Sequence, residues 1–239
     1  MKRFVKISSL TIVILFSLFW ILIEFPSVLF ENKHENENLV IHSDQAFQPN
    51  INNLSEEVLS RLKKSDLFDK TRTYNVYIVQ GKWRWLFLAN RINKVGGFAM
   101  GFNGNAFVRP SDIENNIIIH PNKNLLDMKE RDLLYFLTHE LSHIMMYDKF
   151  GYVSNFVKFP NWLREGYPDY IGKASFDFEE NLKQFKNNEK RLTVESGMYV
   201  RYHLYVYYLM SIKGQSIEEI AKEVPDESKI EELLRDLEL

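Results

Sequence analysis

The chain opens with Lys2, Arg3 and Lys6, followed by an uncharged run from Ile7 to Ile23, 17 residues in which only Ser8, Ser9, Thr11 and Ser17 are polar. Such a run reads as membrane insertion, at the lower limit of length for a spanning helix. Extension as far as Val28–Phe30 must pass Glu24 and Pro26. The expectation for residues 1–30 is one N-terminal transmembrane helix that stays uncleaved. No small-x-small site follows the run, and Glu24-Phe25-Pro26-Ser27 is a poor exit for a signal peptidase. A cleaved signal peptide, leaving a secreted protein, is the competing reading. In the anchored case the basic end stays in the cytoplasm and the rest of the chain lies, single-pass, on the extracytoplasmic side. Residues 31–38 are polar, without periodicity, and read as a linker to one domain over 39–239.

Beyond the linker the period of the apolar positions alternates. Leu39-Val40-Ile41-His42 reads as a short strand, and Leu54, Val58, Leu59 and Leu62 recur at helical spacing. Tyr74–Val79 alternates and is rich in β-formers, Lys82–Ile92 reads as a helix, and Gly96-Gly97 as a turn. Phe98–Val108 and Asn116–His120 read as two further strands of a small mixed sheet. From Met128 to Phe150, Leu133, Leu134, Phe136, Leu137, Leu141, Ile144 and Met145 keep helical register, and Gly151 follows as a helix stop. Further helices are expected over 161–172, 198–212, 216–223 and 227–238, and the charged stretch 177–191 as a solvated loop or helix face. The fold class is α+β.

Composition narrows the chemistry. With 239 residues, 45% of them hydrophobic, the chain has material for a real core, and a net charge of −2 with scattered basic residues gives no footprint for nucleic acid. There is no cysteine, which excludes disulfides, thiol catalysis and cysteine-ligated zinc, so any metal must be held by histidine and carboxylate. Neither Gly96-Gly97 nor Gly101-Phe102-Asn103-Gly104 forms a phosphate-binding loop; both read as turns at strand ends.

His139-Glu140-Leu141-Ser142-His143 lies inside the long periodic helix. Positions four apart share a helical face, so both imidazoles can reach one metal ion, and zinc suits that geometry. Glu140, offset by one residue, is placed to take a proton from water on the metal rather than to bind the metal itself. The apolar flanks put this polar pattern on a buried helix, where imidazoles and a carboxylate need a reason. A catalytic zinc commonly has three protein ligands and an open fourth position. Pro160-Asn161-Trp162-Leu163-Arg164-Glu165-Gly166 follows, with 21 residues between His143 and Glu165, enough for the helix to end, the chain to turn back and a second helix to begin.

Trp-Leu-x-Glu-Gly a short distance after His-Glu-x-x-His resembles the pattern of gluzincin metallopeptidases. The resemblance implies a zincin-like peptidase domain with one catalytic Zn2+, held by His139, His143 and Glu165, and a peptide or protein as substrate. It extends firmly over 128–172 and more loosely over 74–120 and 198–235. Glu130 and Asp169 are the spare ligand candidates. Asp169, four residues after Glu165, suits better an acceptor that orients the free nitrogen of a metal-bound histidine. Pro168 stands where similar sequences commonly have Ala; a kink there bears on the reach of Asp169 more than on that of Glu165. Such peptidases often use a downstream tyrosine or histidine to stabilise the oxyanion; Tyr199, Tyr202, His203 and Tyr205 are available, and Tyr199 is the best match. The strand at Gly97–Met100 matches the edge strand that pairs with an extended substrate. The reaction expected is peptide-bond hydrolysis, endopeptidase or aminopeptidase. The alternative is a membrane-anchored zincin-like binding or regulatory protein without turnover, against which the intact Glu140 argues.

Overall fold

The structure, a computed structural model, describes residues 2–89, 94–119, 130–193 and 199–238, with side chains from residue 11 onward. Strand β1 (Asn32–Asn36) turns at Glu37, whose φ is +49°, into β2 (Leu39–Ser43). Helix α2 (Ile51–Leu62) crosses over to β3 (Tyr74–Ile78), parallel to β2. After α3 (Lys82–Ala89), the hairpin of β4 (Gly97–Met100) and β5 (Asn105–Val108) completes the sheet. The order is β1-β2-β3-β5-β4, parallel in the middle and antiparallel at both edges, so the fold is α+β with a mixed five-stranded sheet. Strands β6 (Ser111–Asp112) and β7 (Ile117–Ile118) form a separate short pair.

Strand alternation divides the core. Tyr74, Val76 and Ile78 face the larger hydrophobic cluster, with Val58 and Leu62 of α2, whereas Tyr77 and Val79 face the other side. On that second side one ring from each of four adjacent strands stacks on the next: His42 on Tyr77 at 4.5 Å, Tyr77 on Phe107 at 5.0 Å, and Phe107 on Phe98 at 4.9 Å. Such cross-strand aromatic pairs stabilise and fix the register of a sheet.

The helical half begins with α4 (Leu133–Phe150), which runs between the sheet and the remaining helices. Its start is set by Asp132, whose side chain accepts from the Tyr135 amide at 2.7 Å and from Asn116 Nδ2 at 2.7 Å, a cap of about 1 kcal/mol. It stops at Gly151, whose φ of +82° lets the chain turn into α5 (Tyr152–Lys158). Then come α6 (Asn161–Gly172), α7 (Phe178–Lys186), α8 (Val200–Tyr207) with a π-helical continuation over Tyr208–Ile212, α9 (Ile217–Lys222) and α10 (Glu227–Asp236). Helix α6 lies between α4 and α8.

Most of the expected elements are present, with differences in detail. The stretch read as a polar linker contains β1, and Phe98–Val108 is two strands rather than one. Helix α5 had no clear periodic signal. In the charged stretch α7 buries Leu182 and Phe185 on one face. Residues 90–92, His120, 128–129 and Met198 of the expected elements lie outside the described residues.

The N-terminal expectation is overturned. Helix α1 (Lys2–Glu24) forms, but among the described residues no helix is long and apolar enough to cross a membrane. The transmembrane part of the expected fold, and the single-pass extracytoplasmic placement resting on it, are therefore not supported. The reason is visible in the packing of the helix end. Ile23 is buried with Phe30, Tyr77 and Trp85, its carbonyl accepts from Asn103 Nδ2 at 2.8 Å, Trp20 stacks on Phe102 and Phe19 meets Phe87 edge-on. The end of the apolar run belongs to the domain. The apolar stretch that precedes Phe19, from Ile7 to Leu18, makes about 18 Å of helix at 1.5 Å per residue, against a hydrocarbon core of about 30 Å.

The closest helix contact is made at Gly166, where a Cβ would come within 2.6 Å of the Tyr202 carbonyl oxygen and 3.0 Å of Val206 Cγ2. Backbone cannot yield as a side chain can. Gly166→Ala is expected to destabilise the protein by roughly 1–3 kcal/mol, read as a lower urea midpoint at unchanged slope. An unchanged midpoint would mean that α6 and α8 are not so tightly apposed.

Candidate metal centre

Helix α4 carries a stripe of four ring side chains, Tyr135, His139, His143 and Tyr147, each four residues from the next. Consecutive ring centroids are 5.2, 4.9 and 6.0 Å apart, the spacing of one helical turn. The stripe faces α6, which runs antiparallel: Glu165 lies beside His139 and His143, Asp169 beside Tyr135, and Arg164 near the far end over Phe156. Trp162 and Leu163, both fully buried, anchor α6 from within the same helix.

Glu165 Oε2 is 3.6 Å from His139 Nε2 and 3.7 Å from His143 Nε2, and ligand atoms of the three residues lie within 4.8 Å of one another. Around a tetrahedral ion with bonds of about 2.0–2.1 Å, ligand atoms sit roughly 3.3 Å apart, so a few tenths of an ångström separate these contacts from coordination distances. The donor set also fits. Two imidazoles and one carboxylate, without sulfur, suit zinc, and among the described residues the ion-pair contacts of Glu165 are with these two imidazoles. The sequence-predicted ligands His139, His143 and Glu165 are thus brought together.

The electrostatics are those of a buried polar cluster. Burial opposes ionisation of Glu165, but its contacts with His139 and His143 outweigh that and hold the carboxyl well below the usual range. Burial lowers His139, whereas His143 is raised because Glu165 and Glu140 outweigh the same burial. Glu140 is pushed up to about 8, chiefly by burial and further by the nearby Glu165, with His143 opposing.

One position along from His139, Glu140 turns away from the stripe toward the edge strand. A Cβ on Gly97 would lie 2.7 Å from Glu140 Cγ and Oε1. At one end of β4, Gly96 is pressed against the Phe136 ring; beyond the other, Gly101 meets Tyr147 and Tyr152. Lacking side chains, these three glycines let the strand lie directly on α4. Strand β4 is the outer strand of the sheet, so a second row of backbone groups faces outward next to Glu140.

The downstream aromatic candidates separate clearly. The Tyr199 ring stacks on His139 at 5.9 Å, and burial together with the Glu165 carboxylate raises its hydroxyl, which therefore stays protonated as a donor. His203 is buried and bonded to Asp169 at 3.0 Å. Tyr205 donates to Glu231 at 2.7 Å, away from the cluster. Tyr202, half-buried, stacks on Tyr199 rather than on a histidine. Glu130, a spare ligand candidate, pairs with Lys173 and Arg191 instead.

Asp169 does not contact His139 directly. Its Oδ1 accepts from the Tyr135 hydroxyl at 2.6 Å, and that hydroxyl is 3.2 Å from His139 Nδ1. Pro168 is accommodated inside α6 and does not prevent this reach. Tyr135 and Tyr147 were missed in the sequence, although their spacing of four residues from the two histidines was a usable signal.

The raised Glu140 generates a prediction for the metal-free protein. Its carboxyl ionises near 4.5 in the unfolded chain and near 8 in the fold. The folded state therefore holds the extra proton between those values, and its stability falls as pH rises through that window. Glu140→Gln removes this cost. In excess chelator the Gln variant should be more stable than wild type at pH 8.5 by roughly 1–3 kcal/mol, with the gap closing toward pH 5. Thermal melts at both pH values check this; parallel curves at the two would refute it.

No protein-family model matches the chain, and no curated protein matches it.

Proposed function

We propose that the protein is a zinc-dependent peptidase with a gluzincin-like site. The observation that carries this reading is the convergence of His139, His143 and Glu165 within ligand distance of one another, with Glu140 on the same helix turned toward β4, the outer strand of the sheet among the described residues.

Zinc held by two imidazoles and a carboxylate supplies a Lewis acid and lowers the pKa of water. The chain's own groups do the rest. An extended peptide pairs with the outer edge of β4, which brings its backbone alongside Glu140. Glu140 takes a proton from the attacking water and returns it to the departing amine, so the carboxylate ends as it began. The Tyr199 hydroxyl, kept protonated by burial and by Glu165, donates to the carbonyl oxygen as that oxygen gains charge. Two buried imidazoles turned on one partly exposed carboxylate form a donor set that a metal ion would satisfy, which also supports the reading.

The test is direct. The full-length protein with zinc is incubated with a diverse peptide mixture, beside Glu140→Gln, and new termini are read by mass spectrometry. Wild type should cut and a chelator should stop it, while the Gln variant should be slower by roughly 10²–10⁴-fold. If both proteins hold one zinc and neither cuts, a binding role without turnover is the better description. Absence of zinc from wild type would overturn the metal centre itself.

A further inference from the structure

Behind His139 lies a hydrogen-bonded chain whose proton directions can be worked out from its members. Asp169 is fully buried, with its Oδ2 3.7 Å from Lys173 Nζ and 3.0 Å from His203 Nδ1. Burial opposes its ionisation, but the Lys173 charge and the His203 hydrogen bond hold it well below the usual carboxylate range. An ionised carboxylate only accepts, so the Tyr135 hydroxyl donates to Oδ1 at 2.6 Å. That hydroxyl has one proton, already committed. Toward His139 Nδ1, 3.2 Å away, the Tyr135 oxygen can only accept, which requires a proton on Nδ1. A neutral imidazole with its proton on Nδ1 has its lone pair on Nε2, the atom that faces Glu165.

We propose that Tyr135 is a positioning residue of the metal centre, relaying the Asp169 carboxylate to His139 so that the imidazole is held in the tautomer and orientation that direct Nε2 to the metal. This rests on the zinc reading above and goes beyond it. The carboxylate does not touch the ligand; a phenol four residues earlier on the same helix spans the gap. The phenol is itself confined. A Cβ at Gly172 would sit 3.2 and 3.3 Å from two of its ring carbons, Phe136 meets it edge-on at 5.1 Å, and the Arg131 guanidinium lies 5.7 Å above it. His203, stacked on Phe176 at 3.9 Å, fixes the second carboxylate oxygen from α8.

The test measures zinc affinity rather than turnover. Full-length wild type, Tyr135→Phe and Tyr167→Phe are titrated against a chromophoric chelator, and each metal-free protein is melted. Tyr167 is the control, because it lies on α6 with Glu165 while its buried hydroxyl bonds Ser65 Oγ at 2.6 Å, away from the cluster. Tyr135→Phe should weaken zinc binding by about 10–100-fold, whereas Tyr167→Phe should lose stability and bind zinc like wild type. Cobalt-substituted Tyr135→Phe should also show a shifted ligand-field spectrum. Should Tyr135→Phe fail to fold, Asp169→Asn, which removes the charge at the end of the relay and keeps its size, is expected to weaken zinc severalfold. Wild type binding zinc and the folded variant binding within twofold of it would overturn the relay alone; wild type that binds none would overturn the metal reading beneath it.

Discussion

The antiparallel packing of α4 on α6 is the contact on which the rest depends. Each helix brings polar groups into that interface, His139 and His143 from one and the partly exposed Glu165 and the buried Asp169 from the other, against a largely apolar core. Buried polar groups are tolerated when each has a partner. Here the partners come in two layers. Glu165 lies between the two imidazoles, and Asp169 is satisfied by Tyr135, His203 and Lys173. Slide α6 by one turn and both carboxylates lose their partners together. The polar interface therefore specifies the register of the two helices, while Trp162, Leu163 and Leu137 provide the apolar burial that holds them together.

Glycines make the close approaches that this arrangement demands. Gly166 brings α6 onto α8, Gly172 leaves room for the Tyr135 ring, and Gly97 brings the edge strand onto Glu140. None of the three has the left-handed backbone that favours glycine; their common role is the missing Cβ. The sheet contributes in turn through the ring stack from His42 to Phe98, which ties the outer strand β4 to the central strands and thereby fixes where Gly97 meets α4.

What could be read in advance depended on whether the deciding contact was local. Helix α4 was legible because its apolar register and Gly151 are properties of one segment, and the ligand helix because Trp162, Leu163, Glu165 and Gly166 form one short pattern. Strand β1 was not, because Asn32-Lys33-His34-Glu35-Asn36 carries no hydrophobic alternation and is held as a strand by backbone pairing with β2. The first helix misled for a related reason. Hydropathy registers Ile7–Ile23 as one apolar run, but its end docks through Asn103, Phe102 and Phe87, residues about seventy to eighty positions away in the chain whose proximity no local pattern encodes. The same holds for Tyr135. Its place four residues before His139 was on view, yet its role needs Asp169, supplied by another helix.

The division of labour around His139 follows from helical geometry. Successive residues turn by about 100° on an α-helix, so a residue adjacent to a ligand cannot share the ligand's face. His139 and His143 look toward α6, and Glu140 looks toward β4. The side of α4 toward α6 therefore carries the proposed ligands and the side toward β4 the proposed base, and both come from a single turn of one helix. Had the carboxylate been placed three or four residues from His139 instead of one, it would have fallen on the face toward α6, where it would compete with Glu165 for the same imidazoles and leave the sheet edge without a base.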